Sequence, residues 1–170
     1  MSITAFYVQH TGSDLMVVNS ARVSFGKRSE MEDDAWGPPK LKEDDARLIR
    51  YLAKHNHISP FNHTWVTFQC RAPMFVARQL QKHEYMPWNE ISRRYTTENI
   101  EFYTPEVWRG KSVDKKQGSD GVVDVGDWGD ANWACLTAYN DLLDMGVAPE
   151  QARMVLPQSM YTEWFWSGTV

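Results

Sequence analysis

The chain has 170 residues, 42% hydrophobic and 24% charged, with 22 acids against 18 bases for a formal net charge of −4. Those figures suit one globular domain and exclude collagen, coiled coil and intrinsic disorder. The acidic balance argues against non-specific nucleic-acid binding, which needs excess positive charge to displace counterions, so any phosphate must be met by a local cluster.

No window approaches the length of a transmembrane span, and Met1 to Leu15 shows no basic start followed by an apolar run. The sequence therefore predicts a cytoplasmic protein without membrane contact. The two cysteines, Cys70 and Cys135, form no CxxC pair and read as small core residues. Aromatics reach 13%, with eight Trp, enough for some to stack on a flat ligand or line a subunit interface.

In chain order, Ile3 to Val8 is rich in β-branched and aromatic residues and Leu15 to Val18 is a second apolar run. Two strands are predicted, flanking a turn at Gly12-Ser13-Asp14. Residues 28–42 carry charges, Gly37 and Pro38-Pro39 and read as a loop. From Glu43, Ala46, Ile49, Leu52 and Ala53 recur at helical spacing, with Asp44 and Asp45 in the first turn, Lys54 and His55 at the end. His57 to His63 reads as a turn. Thr64 to Arg71 alternates Val66, Phe68 and Cys70 against Trp65, Thr67 and Gln69, as a strand with two different faces does.

Pro73 suits a first helical residue, and Met74 to Tyr85 then reads as a helix with Phe75, Val76 and Leu80 on an apolar stripe. Arg78, Gln79, Lys82 and His83 fall beside it at i, i+4 spacing. After the turn Met86 to Ser92, Arg93 and Arg94 could join Arg78 and Lys82 around an anion, because guanidinium forks suit phosphate oxygens. Five glycines between Gly110 and Gly129 suggest a long mobile loop. A helix over 131–145 should bury Trp133, Leu136 and Leu143 and stop at Gly146, a short helix should run from Pro149 to Leu156, and Tyr161 to Trp166 should be a buried strand.

The run from His57 to Tyr103 resembles the heart of the flavin-dependent thymidylate synthase (ThyX) family. Where that family has Arg-His-Arg, seven residues and Ser, this chain has Lys82-His83-Glu84, seven residues and Ser92. Asn19 to Ser24 and Ala152 to Pro157 also resemble family segments, so the likeness spans nearly the whole chain in order. It implies a single α/β (α+β) domain over residues 1–170, with a mixed or antiparallel sheet flanked by helices, and a homotetramer whose active sites are shared between subunits.

The resemblance further implies FAD as cofactor and transfer of a one-carbon unit from methylenetetrahydrofolate to dUMP, with NADPH reducing the flavin. Carried over by position, Ser59, Lys82, His83, Glu84 and Glu90 fall near the flavin. Arg78, Gln79, Lys82, Glu90, Ser92, Arg93, Arg94 and Arg153 fall near dUMP. The family uses no covalent protein nucleophile on the pyrimidine, so no catalytic residue is assigned and Ser92 is a hydrogen-bonding anchor.

This chain departs from the family pattern at Lys82, which loses the guanidinium fork, at Glu84, which reverses a charge, and at Asn62, which replaces a glutamate. Family members continue past the Tyr-Thr-x-x-Phe-Trp segment, so the chain is expected to lack the family's C-terminal helical segment. That leaves as alternatives a non-catalytic deoxynucleotide-binding or assembly subunit, part of a split enzyme, or a related pyrimidine C5-modifying, hydroxymethylating enzyme. His55, His57 and His63 lack a carboxylate or thiol at ligand spacing, so no metal is expected.

Overall fold

The computed structural model describes residues 2–126 and 129–169. It is a mixed α/β fold. Strands β1 (Thr4–Thr11), β2 (Trp65–Pro73), β6 (Tyr161–Thr169) and β3 (Trp88–Glu90) form one sheet in the order β1-β2-β6-β3. A separate antiparallel pair is made by β4 (Arg109–Lys111) and β5 (Ser119–Val122). The helices are α1 (Asp14–Arg22), α2 (Glu43–Lys54), α3 (Met74–Leu80), α4 (Gly129–Asp144) and α5 (Pro149–Ala152), the last continued by a 3-10 turn at Arg153–Val155.

Contacts divide the chain into two compact units. One holds residues 1–4, 70–84 and 90–164, the other residues 5–69, 85–89 and 165–170.

In the first unit the core gathers Cys70, Ala72, Ala77, Tyr139, Ala152, Met160, Tyr161 and Trp164. Arg71 ties the segment before β4 to β6: its Nη2 lies 2.8 Å from Glu101, its Nε 3.2 Å from Glu163, and its guanidinium stands 4.1 Å over the Tyr161 ring. The backbone amide of Tyr161 donates to the Glu101 carbonyl and that of Tyr103 to the Ser159 carbonyl, each at 2.8 Å.

In the second unit Val17, Val18 and Leu52 are buried where α1 packs on α2. Asp45 holds the arrangement together. Its carboxylate accepts from Ser29 Oγ and from the guanidinium of Arg22, while Asn19 and Ser29 exchange two further hydrogen bonds of 3.1 and 2.7 Å.

Several elements differ from the sequence reading. Leu15 to Val18 is not a strand but lies within α1. Ser13 caps that helix by accepting from the Met16 amide, Asp14 complements the dipole, and the Val17-Val18 pair is what the helix buries. Helix α3 ends at Leu80, not Tyr85, and the chain then turns through Tyr85 at φ +61°. That left-handed backbone at Tyr85 is incompatible with a helix reaching it, and Pro87 disfavours helical backbone at Met86. Lys82 and His83 consequently lie beyond the helix that carries Arg78 and Gln79.

The stretch expected as a loop from Gly110 contains β4 and β5, with Gly110 at a register irregularity opposite Asp120. Asp127 and Trp128, also within that expected loop, lie outside the described residues. On α4 the buried residues are Asn132 and Tyr139. Trp133, expected to be buried, is 70% exposed. Trp164 is buried as expected, while Phe165 next to it faces outward, the alternation a strand imposes.

Candidate functional site

A cavity of about 760 Å³ opens in the first unit. Met74 and Arg78 of α3 form one wall, Glu90, Ile91, Ser92 and Arg93 a second, and Glu150, Arg153, Met154 and Leu156 a third. Met160, the residue before β6, and Thr162, at the start of that strand, also contribute.

Backbone bonds explain why these distant segments meet. The Met74 amide donates to the Met160 carbonyl at 2.9 Å and the Phe75 amide to the Gln158 carbonyl at 3.2 Å. The Ile91 amide donates to the Glu163 carbonyl at 2.9 Å. Residues 158–163 are therefore the common strip to which α3 and the β3 exit are both fastened. Pro149 opens α5, where its missing N–H costs nothing, and Arg153 follows at the start of the 3-10 turn.

The lining mixes charge with apolar surface: three arginines, Arg78, Arg93 and Arg153, stand against Glu90 and Glu150, with Met74, Met154 and Met160 between them. Glu90 is held by Thr162, whose buried hydroxyl donates to its Oε1 at 2.5 Å. Such a pocket, cationic in sum and partly greasy, can hold an anionic molecule carrying a flat apolar part.

Ser92 opens a tight turn. Its carbonyl accepts from the amides of Tyr95 and Thr96 at 3.1 and 3.0 Å, and its hydroxyl oxygen accepts from the Arg94 amide at 3.3 Å. The hydroxyl proton is then left to donate to another group.

Arg93 and Arg94 are neighbours in sequence but face opposite ways. Arg93 is 7% exposed, and its Nη1 donates to the carbonyls of Thr96 and Glu98 at 3.3 and 2.9 Å. Burial pushes its guanidinium below the usual arginine range, partly offset by the nearby Tyr139 phenol, whose own proton burial holds more tightly. Arg94 is exposed and lies 5.8 Å from the Tyr95 ring.

Of the residues assigned by sequence, the cavity thus gathers Arg78, Glu90, Ser92, Arg93 and Arg153. Gln79, Arg94 and the triplet Lys82, His83 and Glu84 are exposed and do not line it. Ser59 belongs to the second unit, where it lines a separate cavity of about 680 Å³ with Arg22, Phe25, Lys27, Tyr51 and His57. Sequence reasoning missed Thr162 and Glu150. Nothing marks a threonine in a strand, but Glu150, three residues before Arg153, had a helical spacing that could have placed it. Among the described residues no group of three or more His, Cys, Asp or Glu could hold a metal ion, and no helix is long and apolar enough to cross a membrane.

Residues 7–170 match the family described as Thymidylate synthase complementing protein. The chain belongs to that family. Within the Thymidylate synthase complementing protein family, a flavin-dependent thymidylate synthase of Thermus thermophilus is 39% identical over 163 residues, covering 94% of this chain and 57% of the relative. Another, from Thermosipho africanus, is 39% identical over 169 residues, covering 94% of this chain and 69% of the relative. The chain therefore spans little more than half the length of the Thermus relative. A crystal structure of a UMP/dUMP methylase, PolB from Streptomyces cacaoi bound with 5-Br dUMP, superposes with a TM-score of 0.82 at 34% identity, covering 99% of this chain and 74% of that one. The same methylase bound with 5-Br UMP gives a TM-score of 0.76 at 32% identity.

Proposed function

We propose that the 760 Å³ cavity binds a uridine monophosphate and that the chain serves flavin-dependent synthesis of dTMP from dUMP. The observation that carries this reading is the convergence of Arg78 and Arg153 with Glu90 and Ser92 in one partly apolar pocket, in a family whose relatives bear that activity in their names. Arg78 and Arg153 would meet the phosphate, since neither forms an ion pair among the described residues. Ser92 would donate its hydroxyl proton to the nucleotide, and Glu90, held by Thr162, would accept from an N–H or O–H. The methionines would shield the pyrimidine face from water.

Methylenetetrahydrofolate would be the one-carbon donor and NADPH the reductant, in a homotetrameric, cytoplasmic enzyme. The donor set suits a flavin in part. Lys82 and His83 are exposed, with ammonium and imidazole groups matched to phosphate and ring oxygens, whereas the Glu84 carboxylate would repel a diphosphate. When bound, FAD would supply hydride to the pyrimidine. The residues of this chain would bind and orient the nucleotide beside it, which is where the protein's share of the rate lies.

A second reading, favoured by the likeness to a methylase bound with 5-Br UMP, is that the ribonucleotide is also accepted. Calorimetric titration of the purified chain with dUMP and with UMP separates the two, and NADPH-dependent formation of dTMP in the presence of FAD and methylenetetrahydrofolate tests the reaction. Binding of neither nucleotide overturns the proposal. Binding without turnover keeps the nucleotide site and removes the synthase.

A further inference from the structure

We propose that Arg93 is a positioning residue: its buried guanidinium holds the Ser92-to-Glu98 turn from within, so that the Ser92 hydroxyl is presented at a fixed angle to the cavity. This rests on the uridylate reading of the cavity.

A guanidinium is costly to bury, and the cost is recovered only when its N–H groups find good acceptors. Arg93 forms no ion pair among the described residues. Its Nη1 is committed to the carbonyls of Thr96 and Glu98, and its Nε is closed off from solvent with no hydrogen-bond partner among the described residues. Tyr139, the nearby phenol on α4, is itself fully buried.

Those two carbonyls belong to the same turn that the Ser92 carbonyl and hydroxyl oxygens close by accepting from the Tyr95, Thr96 and Arg94 amides. The side chain of Arg93 therefore spans the turn in which Arg93 is the second residue. Without that bridge the Thr96 and Glu98 carbonyls lose a charged donor inside the protein, and the turn has fewer bonds fixing the direction of the Ser92 hydroxyl.

Arg93→Met, of similar length and uncharged, and Arg93→Lys, which keeps the charge without the planar fork, test this in the full chain. The readouts are dUMP affinity, the slope of affinity against salt, and hydrogen exchange at the Tyr95 and Thr96 amides. Arg93→Met is expected to weaken dUMP roughly ten- to hundred-fold with an unchanged salt slope, since displacement of binding groups costs factors of that order. It should also speed exchange at both amides, and Arg93→Lys should fall between Arg93→Met and wild type on both measures.

Lost affinity with a shallower salt slope and unchanged exchange would make Arg93 a direct ligand and overturn the proposal. Unchanged affinity would overturn it too. If Arg93→Met does not fold, wild-type exchange and affinity in Arg93→Lys would have the same effect. If wild type binds no dUMP, the uridylate reading fails, and the exchange data alone then report whether Arg93 holds the turn.

Discussion

Thr162 donates its hydroxyl to Glu90 Oε1 at 2.5 Å, joining the buried face of β6 to a carboxylate on the cavity wall. A carboxylate in a pocket with arginines nearby could swing toward any of them. A hydroxyl fixed in a strand limits that freedom by holding one carboxylate oxygen. Thr162→Val keeps the shape and removes the donor. Because hydrogen bonds to charged groups contribute about 1.5–3 kcal/mol, dUMP affinity should drop by a corresponding factor of roughly ten to a hundred. Thr162→Ser should retain most of it. Isothermal titration of both variants checks this, and equal affinities for the valine and serine forms would rule the tether out.

Arg153 and Arg78 approach the cavity from different segments, α5 with its 3-10 extension and α3, so their contributions to an anion should be separable. Both are exposed, and exposed charges are screened. Arg153→Ala and Arg78→Ala should each weaken dUMP by about 1 kcal/mol at low ionic strength, with the difference shrinking in salt. Uridine without the phosphate should be indifferent to either substitution. Affinity series for dUMP and uridine in low and high salt provide the measurement.

The mixed α/β class was legible in the sequence, whereas single elements and the grouping of residues in the cavity were legible unevenly, for reasons that differ by residue. Helix α2 could be read because three acids open it and apolar residues recur at helical spacing. Helix α1 could not, because Leu15-Met16-Val17-Val18 is a short continuous apolar run, and such a run fits strand and helix alike. Ser13-Asp14 is the helix-start signal, but after Gly12 the same residues fit a turn equally well. Glycines in the 110–129 stretch suggested a loop, yet Gly110 sits in a strand at an irregular register. In the site, Arg78, Glu90, Ser92 and Arg153 were identified through resemblance to a family. Spacing alone could not bring Arg153 beside Arg78, since residues 158–163 do that through backbone bonds. Nor could a sequence tell that Arg93 turns inward and Arg94 outward.

Gly12 and Gly168 should respond differently to alanine. Gly12 adopts φ +83°, and a Cβ there would stand 2.8 Å from Thr64 Cγ2 and 3.1 Å from the His63 carbonyl oxygen. Left-handed backbone and a rigid neighbour both oppose the methyl group, so Gly12→Ala should cost about 1–3 kcal/mol. At Gly168 the Cβ would meet Met86, at 2.5 Å from its Cε, and a methionine end can move aside. Gly168→Ala should therefore be the milder change. Urea denaturation of the two variants ranks them, and a larger loss at Gly168 would contradict the geometry.

Asp45 makes stability depend on acid in a defined direction. Burial pushes its carboxyl up, but hydrogen bonds from Ser29 and Arg22, with the charges of Arg22 and Lys42, outweigh that and leave it below the usual carboxylate value of 3.8. A group whose folded-state pKa is depressed stabilises the fold above its unfolded pKa and loses that contribution as pH falls through the folded value. Asp45→Asn removes the charge, leaves Arg22 without its partner, and should cost roughly 2–4 kcal/mol at neutral pH, as breaking a largely buried pair does. The gap between wild type and Asp45→Asn should persist from pH 7 to pH 5 and narrow only below about pH 4, where wild type itself takes up the proton. Denaturant midpoints across that range test the sign: a gap that widened in acid would mean that Asp45 is held above, not below, its unfolded pKa.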